Sequence, residues 1–182
     1  MENSKSATET IDIVQISLMA AIIFIATSVI HVPTFIGVLH LGDSMVFLSA
    51  ILLGRKKSSV ASAVGMSLFD LLNGYTYWAP FTLIIKGVMG YIAGTIAYRK
   101  NYNGDNLKNN IFAFVVAGIW MIVAYYIGGT IILTFISKQN AFQQALIISL
   151  KDIPTNIIQV IGGIALAIPL IAALKIKIRN YI

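Results

Sequence analysis

The sequence predicts an all-α integral membrane protein, a single membrane domain over residues 1–182 folded as a six-transmembrane-helix bundle with both termini in the cytoplasm. Three observations carry this expectation. Apolar residues make up 58% of the 182-residue chain and charged residues only 11%, with a mean hydropathy of +0.84, whereas soluble domains run nearer half apolar and a quarter charged. Apolar runs recur along the whole chain, and a bilayer-spanning helix needs about 20 mostly apolar residues. The basic residues gather in alternate breaks between those runs. This composition also excludes disorder, which needs low hydrophobicity and dense charge. The chain has no cysteine, which excludes disulfides and thiolate chemistry.

The first expected span is 11–30. Ser6 and Glu9 ahead of it are spaced as a capping box, and His31-Val32-Pro33 ends it, because proline disfavours a helical residue before it. A cleaved signal peptide would need a soluble remainder, and the downstream chain is equally apolar. Residues 33–42 read as a folded loop leading into a short second span, 43–54, with Asp43 as its cap. Arg55-Lys56-Lys57 closes the turn into a third span, 58–72, which ends at Asn73-Gly74, a turn signal. The aromatic segment 75–80 follows, then a fourth span, 81–98. Arg99-Lys100 and the polar stretch 101–110 separate it from the fifth, 111–136. Residues 141–151 are too short to span, and Asp152 with Pro154 marks the start of the sixth, 153–176.

Six spans put both termini on one side, and charge gives the side. One face receives Lys5, Arg55, Lys56, Lys57, Arg99, Lys100, Lys108, Lys175, Lys177 and Arg179; the other receives only Lys138 and Lys151. Basic loops face the cytoplasm. The net charge of +6 thus reads as membrane topology. The basic residues are split among turns, so nucleic acid is not expected as a partner.

Polar residues inside apolar runs are the candidate binding groups, since an ionisable side chain in a span is costly and functional by default. Lys86 is the clearest, with Thr82 four residues earlier on the same helix face. Asp70 lies near the outer end of the third span, where the helix C-terminus disfavours an anion; it is expected to pair with Lys86 or to share a ligand with it. Asp152, Asn156 and Gln159 recur at i, i+4 and i+7 on one face, and buried amides can read a polar ring through paired donors and acceptors. Tyr75, Tyr77 and Trp78 form either an interfacial belt or a stacking wall for an aromatic ligand. His31 and His40, without matching carboxylates, make a poor metal site and read as loop residues. No metal or cofactor is expected. Small residues at four-residue spacing, Ser17 with Ala21, Ala61 with Gly65 and Gly90 with Gly94, suit close helix packing. Ser17, Ala21, Ala61 and Gly65 are also candidates for docking another membrane protein. The binding candidates gather in the outer half, which suggests a pocket facing outside and a docking surface facing inside.

Enzyme signatures are missing. No phosphate-cradling glycine loop with lysine and no H-E-x-x-H occurs, and Gly65-x-Ser67 lacks the second glycine of a nucleophile elbow. No enzymatic activity is expected.

Several segments resemble the substrate-binding S components of energy-coupling factor (ECF) vitamin transporters. They are His40-Leu41-Gly42-Asp43-Ser44, the Leu53-Gly54 turn with its basic residues, Gly65-Met66 with 69–74, and Ala79-Pro80-Phe81-Thr82 leading to Ile85-Lys86-Gly87. The branch they resemble most is the hydroxymethylpyrimidine type, whose members are also linked to pyridoxine. The resemblance implies a subunit that captures a vitamin or vitamin precursor outside the cell. It further implies partnership with a membrane-embedded coupling subunit and two cytoplasmic ATPases, and toppling in the membrane to release ligand. Family members carry Ala-x3-Ala in the first helix for docking; here the matching position is Ser17-x3-Ala21. The alternative expectation from the residues is an autonomous ion-coupled small-molecule carrier or channel, with Lys86 and Asp70 in a proton relay.

Overall fold

The computed structural model describes residues 2–34, 38–136 and 141–179. Parts of the expected outer loops, 35–37 and 137–140 with Lys138, lie outside the described residues. Six α-helices follow one another: α1 (Glu2–Val29), α2 (Gly42–Leu72), α3 (Ala79–Ala97), α4 (Leu107–Ile131), α5 (Phe142–Leu150) and α6 (Ile153–Arg179). Strands β1 (His31–Pro33) and β2 (Val38–His40) form an antiparallel pair between α1 and α2, with His31 opposite His40.

The first helix begins at Glu2, so Ser6 and Glu9 lie inside it and not at its cap. The expected second and third spans form one hydrogen-bonded element that is broken at Gly54, where φ is 71° and ψ is −178°. That backbone is open essentially to glycine alone. The two arms fold back on each other there. Ser49 and Ser58 Oγ lie 2.6 Å apart, although nine residues of straight helix would cover about 13.5 Å. Farther along, a Cβ built on Gly42 would come within 2.6 Å of Met66 Cε. The three charges Arg55-Lys56-Lys57 sit just past this turn.

Pro80 sits in the first turn of α3, where its missing N–H costs nothing. Asn106 caps α4, its side chain accepting from the Asn109 backbone N–H at 3.0 Å, and a π-helical turn, Ile132–Ile136, extends that helix. Among the described residues, four segments are long and apolar enough to cross a membrane: Thr8–Val29, Ala79–Ala97, Leu107–Ile136 and Phe142–Leu174. The exterior is apolar around the bundle, with Ile13, Val29, Leu72, Phe135 and Ile147 all exposed, as a lipid-facing surface requires.

The interior is closely packed. Phe47 of α2 stacks on Phe114 of α4 with ring centroids 4.5 Å apart, and Met66, Met89 and Met121 belong to the same buried cluster. Glycines permit the closest approaches. A Cβ on Gly118 would meet Val160 of α6 at 2.4 Å, and one on Gly94 would meet the Arg55 backbone at 2.6 Å.

The two ends of the bundle differ. One carries the Gly54 turn, Arg99–Asn101 and Lys108, tied together by Tyr98, which donates its hydroxyl to the Ile51 carbonyl at 2.8 Å. Lys57 there bridges to Asp12 of α1 at 2.5 Å and donates to Gln15 at 2.8 Å. The other end carries the β1–β2 pair, the 73–78 turn and the start of α6.

Candidate functional site

Lys86 lies in the second turn of α3 and is fully buried. A buried ammonium must be paired, and its partner is Asp43 in the first turn of α2, itself fully buried. The same Nζ contacts Met121 Sδ at 3.0 Å and lies 5.2 Å from the Tyr125 ring centroid. Gln159 of α6 completes the group: its Nε2 donates to Asp43 Oδ2 at 3.0 Å, and its Oε1 accepts from the His40 backbone N–H at 3.1 Å.

This arrangement revises two expectations. Asp43 is not a cap: the residue before the helix is Leu41, without a side-chain capping bond, and both Asp43 oxygens are engaged elsewhere. Asp70 is not the ion-pair partner of Lys86, because Asp43 reaches the ammonium from the facing arm of α2. Asp70 instead lies in reach of the Thr82 hydroxyl, and its Oδ2 is buried without a hydrogen-bond partner.

Above this ion pair a cleft opens at the end that carries the β1–β2 pair. Its enclosed volume is about 30 Å3, and it is open on one side. Seven of the candidate binding residues singled out from the sequence line it: Asp70, Tyr75, Trp78, Thr82, Asp152, Asn156 and Gln159. Lys86 does not; it lies beneath, behind Gln159 and Tyr125. Four segments widely separated in sequence thereby meet at one place.

The wall is aromatic on one side. The Trp78 and Tyr125 ring centroids lie 5.3 Å apart. The Tyr125 hydroxyl shares a hydrogen bond of 3.2 Å with Thr82, and Tyr75 stacks on Phe69 at 6.0 Å. Tyr77 points away and is exposed. Asp152, just ahead of α6 and one turn before Asn156, also lines the cleft.

His40, Tyr125, Thr34 and Val38 complete the lining and were not among the expected binding residues. His40 is buried, and its Nδ1 has no hydrogen-bond partner. Burial, and secondarily the Lys86 charge, hold its imidazole down at about 4, against an ordinary value of 6.5, so the ring is neutral at physiological pH. His31 faces away from the cleft, with its Nδ1 2.8 Å from the Ser28 carbonyl oxygen. Both histidine rings stand edge-on to Phe69.

The small-residue candidates divide. Ser17 and Ala21 are exposed on α1. Ala61 and Gly65 are buried, and a Cβ on Gly65 would lie 2.6 Å from the Ala20 carbonyl oxygen. That pair closes the α1–α2 contact inside the bundle and presents no docking surface.

The family model for the S component of ECF-type riboflavin transporters matches residues 7–176. The chain belongs to this family. ECF S components are transporter subunits rather than enzymes, and this S component is accordingly a multi-pass membrane protein. Among curated relatives, an uncharacterised protein from Pyrococcus woesei is 38% identical over 96 residues, covering 53% of this chain and 62% of that protein. The thiamine precursor transporter HmpT of Lactococcus lactis subsp. cremoris is 25% identical over 130 residues, covering 71% of this chain and 65% of HmpT. The matches thus span somewhat less than two thirds of those relatives' own lengths.

Proposed function

We propose that this S component is the substrate-capture subunit of an ATP-driven ECF-type importer for a vitamin or vitamin precursor, with hydroxymethylpyrimidine or pyridoxine as the ligand. The observation that carries this reading is the cleft itself, an aromatic and amide-lined hollow with buried polar atoms left unpaired inside an otherwise apolar bundle. Ligand sites are concave, mostly apolar and equipped with a few placed polar groups. A small heteroaromatic ring fits that chemistry: stacking on Trp78 and Tyr75, with donors and acceptors met by Asp70, Thr82, Asn156 and Gln159. The name of the HmpT relative agrees with a pyrimidine precursor, while the family model named for riboflavin makes a flavin the competing ligand.

The topology of this reading has six crossings, the arms of α2 on either side of Gly54 counting as two short ones. The basic end faces the cytoplasm with both termini, and the cleft faces outside. Support comes from the basic turns Arg55–Lys57 and Arg99-Lys100 lying at the opposite end from the cleft. A membrane coupling subunit docks on Ser17 and Ala21, and two cytoplasmic ATPases supply the driving force. Lys86 stabilises the floor of the site through Asp43.

The test is uptake of radiolabelled hydroxymethylpyrimidine, pyridoxine and riboflavin into proteoliposomes containing this chain with and without a coupling module. ATP-dependent accumulation only with the module is the expected result. Uptake by the chain alone, driven by an imposed ion gradient, would instead establish an autonomous carrier.

A further inference from the structure

The charges around the cleft are unevenly arranged, and this bears on what the cleft accepts. Among the described residues lining it, none is a lysine or arginine, while two, Asp70 and Asp152, are carboxylates. The nearby buried cation, Lys86, is neutralised by Asp43 and lies outside the lining. Lys151 is exposed and also outside it. His40 is neutral for the reasons given above. The Asp70 Oδ2 atom is buried, borders the cleft and lacks a hydrogen-bond partner. A buried acceptor left unsatisfied is costly, and a donor brought to it removes that cost.

Resting on the capture-subunit reading, we infer that the cleft takes an uncharged or cationic heteroaromatic ring that donates an N–H or O–H to Asp70 Oδ2, and rejects the phosphate ester of the same ring. Lys86 is therefore not a ligand group, although a buried lysine under a binding site is the residue expected to hold a phosphate. A phosphate brought into the cleft meets the Asp70 and Asp152 carboxylates, and among the described residues lining it no lysine or arginine. Like charges so placed in a partly buried site repel by enough to change affinity ~100-fold. The amine of an aminopyrimidine, or the hydroxyls of pyridoxine, supply the donor that Asp70 lacks.

The experiment compares three matched pairs on the detergent-purified chain by titration calorimetry at pH 8. The pairs are hydroxymethylpyrimidine, pyridoxine and riboflavin, each against its own monophosphate. At least one uncharged member is expected to bind, with its ester weaker by ~100-fold. Asp70→Asn should weaken the uncharged ligand by about tenfold and shrink the parent-to-ester ratio by about tenfold, because the variant replaces one accepting oxygen by an amide donor and removes the repelling charge. An ester that binds within roughly threefold of its parent overturns the inference, as does an Asp70→Asn protein that keeps the ratio. Failure of all three uncharged ligands to bind overturns it too. The wild-type ratios decide the matter even where the variant does not fold. Correct ratios without ATP-driven uptake would sink the importer reading and leave the inference standing, whereas uptake of an ester would sink the inference alone.

Discussion

Gln159 donates its side-chain amide to Asp43 Oδ2 at 3.0 Å across 116 residues of chain. Asp43 is at the same time the ion partner of Lys86. Three helices, α2, α3 and α6, are therefore joined at one buried carboxylate, and the strand β2 hangs from the same amide through the His40 N–H.

Breaking one side of this junction leaves a charge without a partner in an apolar core. Lys86→Met should cost about 3–5 kcal/mol of stability, and Asp43→Leu a similar amount. The double variant should recover most of that loss, since neither charge is then stranded. Thermal unfolding of the four proteins in one detergent measures the cycle. Additive losses in the double variant would show that the two side chains act independently.

Lys86 was legible because a charge inside an apolar run has few explanations, and Asp70, Asn156 and Gln159 stood out in the same way. The meeting of Asp70, Asn156 and Gln159 with Trp78, Tyr75 and Thr82 at one cleft follows from helices whose ends were recognisable. The partner of Lys86 was not legible. Asp43 follows Gly42 at a helix start, where an acidic residue has a sufficient local reason to exist, and nothing in spacing separates a cap from a carboxylate directed inward. His40 and Tyr125 were hidden for a related reason. A loop histidine and an aromatic residue within an apolar helix have no periodicity that marks them as cleft-lining. Gly54 was visible as a turn, but the full reversal is a tertiary fact, carried by contacts such as Ser49 with Ser58.

Gly54 itself gives a second prediction. With φ at 71° and ψ at −178°, any side chain strains the backbone by about 1–3 kcal/mol. Gly54→Ala should lower thermal stability by that amount, although nothing closer than 3.8 Å, the Tyr98 ring, faces the added methyl. The loss would thus come from the backbone and not from a clash. Gly74→Ala, at a φ of 86° in open space, is the matched control for positive φ away from the hairpin. An unchanged unfolding temperature for Gly54→Ala would mean that the turn relaxes into another conformation.

His40 predicts a pH dependence. Its folded value of about 4 lies below the ordinary 6.5, so the unfolded chain takes up a proton that the folded chain refuses. The sign follows directly. The stability from neutral His40 is fully present above pH 6.5, is lost progressively as pH falls toward 4, and stays lost below that. Comparing His40→Gln with the wild type at pH 7 and pH 4.5 isolates this residue from other titrating groups. The wild type should lose roughly 2 kcal/mol more than the variant over that interval. Parallel losses in both proteins would place the proton elsewhere.

The small residues of α1 and α2 give the sharpest separation of folding from function. Gly65 packs against the α1 backbone, 2.6 Å from a built Cβ to the Ala20 carbonyl oxygen. That neighbour cannot swing aside as a flexible side chain would. Gly65→Ala should therefore cost about 1–3 kcal/mol and lower the unfolding temperature. Ser17 and Ala21 lie on the exposed face of the same α1 helix, so Ser17→Leu and Ala21→Leu add apolar volume where only lipid or a partner can meet it. Stability and ligand affinity should stay within about 0.5 kcal/mol of the wild type. Uptake with the coupling module should fall at least about tenfold, because small residues are what let two helix backbones approach in a bilayer. Co-purification of the module with each variant reads the contact directly. If Ser17→Leu and Ala21→Leu retain both assembly and uptake, the partner binds another face of the bundle.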